Sequence, residues 1–456
     1  MEKRKVLSFL ILSEPPMRLL IPLALILSLA ACGKEPAAPV AANLPLVKPI
    51  AETTPGLPDG GVPGDADDPS FWLHPNDPAK SLVITAAKDA GLRVYDLQGK
   101  LVQRIDAVPE GRYNNVDVAY GLKRPDGSTI DIAVASDRGR DRLMVWAIDP
   151  ANPAAPLTDI TDPNQGQVFP TRLSPDGTAD EANPVADQAS AYGLTLWQDK
   201  ATGEVRAVVA QRNAARLAEQ KLVIQADGTV GHERTRHWDF PTSHKGQVLT
   251  TENDNDPALD WQPQFEGLVV DEVTGILFAG QEDVGLWRVN LKTGKADDQP
   301  FYETRGSTKS PFNNQDSKIA RDVEGLALYR GADGTGYLIA SSQGDAHGDE
   351  KAPDAAGLDN TFAIFERGGD NRYLGSFKLT ANGAIDAGQE CDGAELVSIP
   401  LPGYPAGLLV VQDGYNDDLN GLSGEPEATN FKYVSWADVV AALPQLTVKP
   451  GDWAPR

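Results

Sequence analysis

The sequence predicts an all-β fold, arranged as a six-bladed β-propeller. From about residue 65 onward, short apolar segments recur and are interrupted by glycine, asparagine or aspartate, a pattern typical of strands joined by tight turns. The 456 residues include 43 glycines and 35 prolines, which suits many such turns. Amphipathic helical windows are nearly absent, and residues 436–443 form the clearest short candidate. Representative predicted strands are residues 82–85, 130–135, 205–210, 276–279, 337–340 and 407–411.

Two weakly repeated elements favour a radial array of similar units. One is a partly apolar strand that ends in an aromatic residue and a turn, found at 91–100, 141–150, 284–295 and 360–370. The other is an aromatic or acidic residue followed by glycine and leucine, found at 192–194, 266–268 and 324–326. Six blades of about 60 to 65 residues would fill residues 65–445.

The N-terminus has the features of an export signal. A basic start precedes an apolar run that ends in Leu29-Ala30-Ala31-Cys32, which resembles a bacterial lipobox with a lipidated cysteine. We therefore expect a lipoprotein-type signal peptide at 1–32, with an ordinary secretory signal as the alternative. Residues 33–60, rich in Pro and Ala, are interpreted as a tether, and residues 61–450 as the propeller domain. Gly33 in place of Asp favours the outer membrane of a Gram-negative bacterium, or a periplasmic or extracellular location.

The net charge of −24, from 65 acidic and 41 basic residues, argues against nucleic acid or anionic lipid as partners. Two cysteines exclude a disulfide framework. Because a closed propeller leaves no obligate sheet edge to pair, we expect a monomer.

The acidic residues suggest a site for hard cations. Many of them recur at strand ends beside glycine, and a converging ring of carboxylates could hold several such ions. Any single acid is better explained by a turn cap, but the set is not, because several of the acids adjoin apolar strands and do not lie at loop tips. The residues concerned are Asp65, Asp67, Asp68, Asp117, Glu266, Glu282, Asp283, Asp322, Glu324, Asp392 and Asp413.

Basic residues lie among these acids along the chain. Arginine can bind phosphate with two parallel hydrogen bonds, and lysine acts as a point charge. Taken singly, each of these residues is better explained by a salt bridge with a nearby carboxylate. They are Lys88, Arg138, Arg212 and Arg321.

Signatures of covalent hydrolysis are missing. The sequence has no G-x-S-x-G elbow, no H-E-x-x-H motif, and no arginine six residues after Cys391. Its five histidines form no zinc pattern. A hydrolase with this sequence would therefore use water as nucleophile, with metals lowering the pKa of that water and cations screening a phosphate.

Taken in order, several stretches resemble the β-propeller phytases. The opening one, DADDPSFWLHPNDPAKSLVITAAKDAGLRVYDLQGK at 65–100, is similar to the first blade of that family. The resemblance spans roughly residues 65 to 440. Its further stretches are YNNVDVAYGL (113–122), DIAVASDRG (131–139), AYGLTLW (191–197), FEGLVVDEVTGILFAGQEDVGLW (265–287), RDVEGLALY (321–329), GYLIASSQG (336–344), VVQDG (410–414) and NFKYVSW (430–436).

The resemblance implies a calcium-dependent hydrolase of phytate with several Ca²⁺ ions at the channel mouth. It implies Asp68, Asn115, Val116 (through its carbonyl), Asp117, Glu266, Glu282, Asp322, Glu324, Gln343 and Asp392 as metal ligands. It implies Lys88, Arg138 and Tyr192 as phosphate-binding and catalytic residues, with Glu266 or Asp322 holding the attacking water.

Two departures from the family pattern stand out. Arg212-Asn213 occupies the place of a lysine–glutamate pair, so Arg212 is predicted to bind a second phosphate without its acidic neighbour. A polar insertion at 345–360 is predicted near the channel mouth, as a lid or a disordered decoration. The alternatives are a propeller hydrolase of another phosphoester or a lactone, and a non-catalytic phytate-binding propeller.

Overall fold

The computed structural model describes residues 43–56, 64–174, 180–200, 202–252, 261–306, 312, 314–344, 357–416, 428–449, 451 and 453. Two short strands come first, β1 (Leu46–Val47) and β2 (Ala51–Glu52). Blade one contains β3 (Pro69–Trp72), β4 (Leu82–Ala86), β5 (Leu92–Tyr95) and β6 (Leu101–Ile105). Blade two contains β7 (Tyr113–Lys123), β8 (Thr129–Asp137), β9 (Arg142–Ile148) and β10 (Leu157–Asp159).

Two small hairpins separate the middle blades. The first consists of β11 (Thr171–Leu173) and β12 (Asp180–Ala182). Blade three contains β13 (Ala191–Gln198), β14 (Val205–Gln211), β15 (Arg216–Ile224) and β16 (Val230–Asp239). The second hairpin consists of β17 (Ser243–His244) and β18 (Gln247–Val248). Blade four contains β19 (Phe265–Asp271), β20 (Ile276–Gln281), β21 (Gly285–Asn290), β22 (Lys295–Ala296) and β23 (Tyr302–Glu303).

The last two blades complete the ring. Blade five contains β24 (Val323–Arg330), β25 (Gly336–Ser342), β26 (Thr361–Glu366) and β27 (Tyr373–Leu379). Blade six contains β28 (Ala394–Val397), β29 (Leu408–Asp413) and β30 (Asn430–Ser435), and the helix α1 (Trp436–Ala442) follows it. Short 3₁₀ turns lie at Pro78–Lys80, Val185–Asp187 and Ala332–Gly334. None of the helices within the described ranges has the length and apolar character needed to span a bilayer.

The innermost strands form a closed ring around a central channel. β3, β7, β13, β19, β24 and β28 contact one another in succession, and β28 returns to β3. The prediction of a six-bladed propeller is therefore confirmed. Each innermost strand contributes to the channel wall, for example Ser70, Asp117, Thr195, Val269, Leu326 and Glu395. Trp453 also lines the channel and packs edge-on against Phe71 and Tyr120.

The hydrophobic core is divided into clusters between neighbouring blades. Each of the six interfaces has its own cluster of buried side chains. The repeated strand that ends in an aromatic residue is the third strand of blades one, two, four and five. Its aromatic side chains Tyr95, Trp146, Trp287 and Phe365 each pack into the interface with the preceding blade. Because every blade depends on its neighbour for burial, the repeat is a packing signal.

Both ends of the chain build blade six. β2 pairs antiparallel with β30 as its fourth strand, with Glu52 opposite Lys432. β1 adds a fifth, parallel strand to blade five beside β27. Both short strands lie inside residues 33–60, so this part of the interpreted tether is paired with the propeller. The other predicted boundaries, including the signal at 1–32, lie outside the described residues and stay predictions.

Lys432 is fully buried where β2 meets blade six. Its ammonium lies 2.5 Å from Glu52 and 3.0 Å from Asp413, and it also bonds to Asp386. Burial opposes the charge on Lys432, but the surrounding carboxylates outweigh burial and raise its pKa. This ion cluster therefore fastens the N-terminal strand to the last blade.

Candidate functional site

The repeated acid-or-aromatic, glycine, leucine element lies at an irregularity in the innermost strand. In blades two to five a β-bulge separates this strand from its neighbour at the same place. Bulges of this kind redirect a side chain and are common beside active sites. The residues in the four bulges are Asn114-Asn115, Tyr192-Gly193, Glu266-Gly267 and Glu324-Gly325.

The glycines of this element are required by close backbone contact between blades. A Cβ atom on Gly267 would lie 1.7 Å from the carbonyl oxygen of Glu324, and one on Gly193 would lie 1.9 Å from that of Glu266. Gly325 and Gly393 continue the series. The N–H group of Gly325 donates to the carbonyl of Asp392, and that of Gly393 donates to the carbonyl of Asp67. The residue before each glycine therefore occupies an equivalent position at one end of the channel. The six residues of this ring are Asp67, Asn114, Tyr192, Glu266, Glu324 and Asp392.

Three glutamates form the centre of the site. Carboxylate oxygens of Glu266, Glu282 and Glu324 lie within 4.8 Å of one another, and all three residues are buried. Burial and neighbouring negative charges, above all those of Asp322 and Glu266, raise the pKa of Glu282 well above its usual range. Burial and the Glu266 charge raise the pKa of Glu324 in the same direction. We call Glu266, Glu282 and Glu324 the acid cluster.

The acid cluster fits a hard cation. Glu324 Oε2 is buried and accepts no hydrogen bond within the described part of the chain. Uncompensated carboxylates at this spacing repel one another, and oxygen-only ligands are those that calcium and magnesium prefer. Asp322 lies beside the cluster, with a positive φ of 57° and its backbone N–H donating to Asp283 over 3.1 Å.

Amide side chains hold two of the glutamates in place. Asn114 Nδ2 donates to Glu266 Oε1 over 2.6 Å. Gln264 Nε2 donates to both carboxylate oxygens of Glu282, over 2.8 and 3.0 Å. These bonds stabilise the carboxylates without adding charge to the site.

Lys88 lies in a pocket of aspartates next to the acid cluster. Its ammonium is 3.1 Å from Asp67, 3.4 Å from Asp392 and 3.5 Å from Asp65. Burial opposes its charge, but the three aspartates outweigh burial and raise the pKa of Lys88. Burial raises the pKa of Asp67 to about 7 although Lys88 acts against this. Gln343 donates to the other oxygen of Asp392, so the predicted residues Lys88, Gln343 and Asp392 lie together.

Two arginines approach the ring from blades two and three. Arg138 donates to Asn114 Oδ1 over 2.8 Å, and its guanidinium lies 5.7 Å from the centre of the Tyr192 ring. Arg212 lies over the ring of Trp261, 4.1 Å from its centre. Burial, followed by the charge of Arg138, lowers the pKa of Arg212. Burial and the Glu266 charge raise the pKa of Tyr192 well above its usual range, so its hydroxyl stays protonated.

The structure places four predicted ligands differently from the rest. Asp68, Asn115, Val116 and Asp117 line the channel wall, whereas the ring position is taken by the preceding residues in blades one and two. The carboxylate of Asp117 accepts hydrogen bonds from two hydroxyls and two backbone N–H groups. Asp68 Oδ2 accepts from the backbone of Val116 over 3.2 Å. Their role as metal ligands stays a prediction.

The sequence interpretation did not assign ring positions to Asp67 and Asn114, and it did not consider Gln264 or Trp261. The ring positions could have been found by counting back from each repeated glycine, whereas contacts across blades leave no local signal.

Arg321 forms salt bridges, which is the alternative that the sequence left open for it. It lies 3.6 Å from Glu252, 4.0 Å from Asp283 and 3.9 Å from Asp322. Most of the predicted insertion, residues 345–356, lies outside the described residues.

Comparisons with known proteins identify the family of the chain. A family model described as Phytase matches residues 16–449. The 3-phytase of Bacillus subtilis (strain 168) is 31% identical over 387 residues, which cover 84% of this chain and 82% of that protein. Among solved structures, the crystal structure of the Chaetomium thermophilum Sqt1 bound to the N-terminus of the ribosomal protein L10 matches with a TM-score of 0.39 at 12% identity, over 81% of this chain and 86% of that chain. We infer nothing from that weak likeness. The family match covers nearly the whole propeller, and the chain belongs to the phytase family.

Proposed function

We propose that this enzyme hydrolyses phytate (myo-inositol hexakisphosphate) to lower inositol phosphates and phosphate, with calcium as its resident cation. The observation that carries the proposal is the presence of both a buried acid cluster and arginines at this end of the channel. Arg138 donates to the ring residue Asn114, and Arg212 lies over Trp261, so neither arginine is neutralised by these contacts. Such a mouth suits a substrate that carries several phosphates and binds together with cations. Family membership supports the same choice.

The residues that would hold calcium are the acid cluster and the acids beside it, Asp322 and Asp392. Their donor atoms are all oxygens, and the like charges are close enough to need compensation. When bound, calcium would supply positive charge to a phosphate and lower the pKa of a water molecule, though only modestly. We therefore expect activity to favour neutral to mildly alkaline pH.

The chain's own residues bind the phosphate and handle protons. Lys88 and Arg138 bind and orient the phosphoryl oxygens, on which negative charge develops during attack. The protonated hydroxyl of Tyr192 donates a hydrogen bond to one of them. Glu266 or Asp322 accepts a proton from the attacking water as its oxygen bonds to phosphorus and the bond to the inositol oxygen breaks. The leaving inositol oxygen then takes a proton from solvent.

The test is phosphate release from phytate, with and without a calcium chelator. We expect release that is lost on chelation and restored by Ca²⁺, and strongly reduced by Glu266→Gln. The exposed Glu233→Gln in β16 serves as the matched control and should keep full activity. Activity that survives chelation would overturn the calcium requirement. Tight phytate binding without turnover would overturn hydrolysis and favour a binding propeller.

We also propose that the chain is exported and anchored by a lipid on Cys32, and that it acts as a monomer. The LAAC sequence supports the anchor. Cys32→Ser should move the enzyme from the membrane fraction to the soluble fraction, and an unchanged distribution would contradict the anchor. Light scattering on the soluble variant then measures its mass against that of a single chain.

A further inference from the structure

A turn in blade three is tied to the segment that enters blade four. Asn213 follows β14 with a positive φ of 53°. Its Oδ1 accepts from the backbone N–H of Gln262 over 2.9 Å, and its own backbone N–H donates to Gln264 Oε1 over 2.7 Å. Two hydrogen bonds therefore fix the backbone beside Arg212 against residues 261–264. We call residues 211–213 and 261–264 the interblade clamp.

Gln264 connects this clamp to the acid cluster. Its side chain is fully buried, and a backbone N–H can only donate, so its oxygen must face Asn213 and its nitrogen must face Glu282. One side chain thus contacts both the turn that carries Arg212 and a carboxylate of the cluster. Displacing Gln264 would leave buried polar groups unsatisfied on both sides.

Trp261 holds Arg212 in a way that keeps its charge available. The guanidinium carbon lies over the indole, 4.1 Å from the centre of the ring, and no ion pair of Arg212 is found among the described residues. Its Nε is buried without a hydrogen-bond partner. A carboxylate would neutralise the arginine, whereas an aromatic ring orients it and leaves its donors for an anion.

We propose that Trp261 and Gln264 are positioning residues, which fix Arg212 beside Glu282 so that Arg212 binds a second phosphate of the substrate. This inference rests on the proposed function. Asn213 stands where the family pattern has a glutamate, so Arg212 lacks an acidic neighbour there. Trp261 replaces that acid as the partner of the Arg212 guanidinium. Neither residue touches the reacting atoms.

The first experiment separates positioning from chemistry through KM and kcat. Trp261→Leu should raise the KM for phytate about 3- to 10-fold, as expected for losing one cation–π contact, with kcat within twofold. Hydrolysis of p-nitrophenyl phosphate, which has a single phosphate, should not change. Trp261→Phe should restore most of the affinity. Trp197→Leu removes a tryptophan stacked on Arg206 in the same blade and controls for a general loss of packing.

A double-mutant cycle decides whether Trp261 acts through Arg212. Arg212→Ala should raise the KM for phytate at least as much as Trp261→Leu does, and adding Trp261→Leu to it should have no further effect. Additive effects would overturn the positioning role. The same cycle is measured by calorimetry with myo-inositol hexasulfate, which is not hydrolysed. That readout tests the inference even if phytate is not the substrate, and an equal hexasulfate affinity in the wild type and Trp261→Leu refutes it.

Gln264 is tested by replacing its amide with an apolar side chain of similar size. Gln264→Met should raise both the KM for phytate and the Kd for Ca²⁺ measured by calorimetry, because it releases Arg212 and Glu282 together. Trp261→Leu should leave the Ca²⁺ affinity unchanged. If Gln264→Met weakens Ca²⁺ binding but not hexasulfate binding, the link to Arg212 is refuted. Circular dichroism checks that each variant is folded. If Gln264→Met does not fold, Asn213→Gly replaces it, because glycine accepts the positive φ and lacks the acceptor for Gln262. Asn213→Gly should weaken hexasulfate binding and leave Ca²⁺ binding unchanged, and unchanged hexasulfate binding refutes the clamp.

Discussion

Replacing Glu324 with glutamine tests whether the acid cluster is built for a cation. At separations of up to 4.8 Å, two ionised carboxylates repel each other by at least about 3.5 kcal/mol at an effective dielectric constant near 20. Three such pairs would cost about 10 kcal/mol, comparable to the whole stability of a protein. Without a cation, the cluster must therefore retain protons at neutral pH.

The protonation cost sets the size of the effect. Keeping one glutamate protonated near pH 7.5, about three pH units above its ordinary pKa, costs about 4 kcal/mol. Glu324→Gln removes this cost, so in chelator it should be more stable than the wild type by up to about 4 kcal/mol. Because the pKa of Glu324 is raised on folding, wild-type stability falls as pH rises above about 4.3, and the advantage of the variant shrinks as pH falls toward that value.

Thermal and urea denaturation, followed by circular dichroism between pH 5 and 8, measure this difference. In saturating Ca²⁺ the order should reverse, because the wild type keeps a ligand that the variant lacks. The exposed Glu233→Gln should behave like the wild type in both conditions. The reasoning fails if Glu324→Gln is less stable than the wild type in chelator, or if Ca²⁺ raises the melting temperature of both proteins equally.

Three further predictions concern the propeller that carries the site. Lys432→Met should destabilise the protein by about 3 to 5 kcal/mol in urea denaturation, since it leaves buried carboxylates uncompensated. Lys80→Met, at an exposed ion pair, should have almost no effect, and equal losses in the two variants would contradict the role of the Lys432 ion cluster. Gly267→Ala should abolish activity or folding because its Cβ would lie 1.7 Å from a backbone oxygen, while Gly368→Ala, which meets no atom within 4 Å, should be neutral in activity and melting temperature. Burial and nearby arginines lower the pKa of His232 to about 4. About 3 kcal/mol of folding stability, present above pH 6.5, should therefore be lost as pH falls to about 4. His232→Gln should flatten the measured dependence of stability on pH in that window.

The sequence predicted the fold because its repeat is tied to packing that every blade shares. The aromatic residues of the third strands, such as Trp146 and Trp287, recur since each fills an interface with the preceding blade. The strands β1 and β2 could not be predicted in the same way. Each is two residues long, and each pairs with a strand more than 300 residues further along the chain. Their structure depends on the closed ring and has no local pattern.

The residue at the ring position follows from the sequence in blades where a glycine comes directly after it. In a blade without that glycine, the sequence leaves more than one choice. Glu266 and Glu324 precede glycines that lie against the next blade, so their positions follow from the motif. In blade one the run Asp65–Asp68 contains three acids and no glycine. Side chains alternate along a strand, so a shift of one residue exchanges the ring position for the channel wall. The choice between Asp67 and Asp68 thus needed the structure.

The chemistry of the site depends on breaking the symmetry of the ring. Six equivalent positions filled with carboxylates would attract cations but would offer a phosphate only repulsion. Asn114 and Tyr192 are the two positions without an acid, and both contact Arg138, one through a hydrogen bond and the other through its ring. Neither neutralises the guanidinium, just as Trp261 does not neutralise Arg212. Uncharged partners therefore keep these two arginines available for anions. Lys88 instead pairs with three aspartates, so it can bind a phosphate only when bound cations neutralise those aspartates. The propeller supplies one repeated backbone position, and in the proposed function the identity of the side chain at that position decides whether a blade contributes to binding the cation or the phosphate.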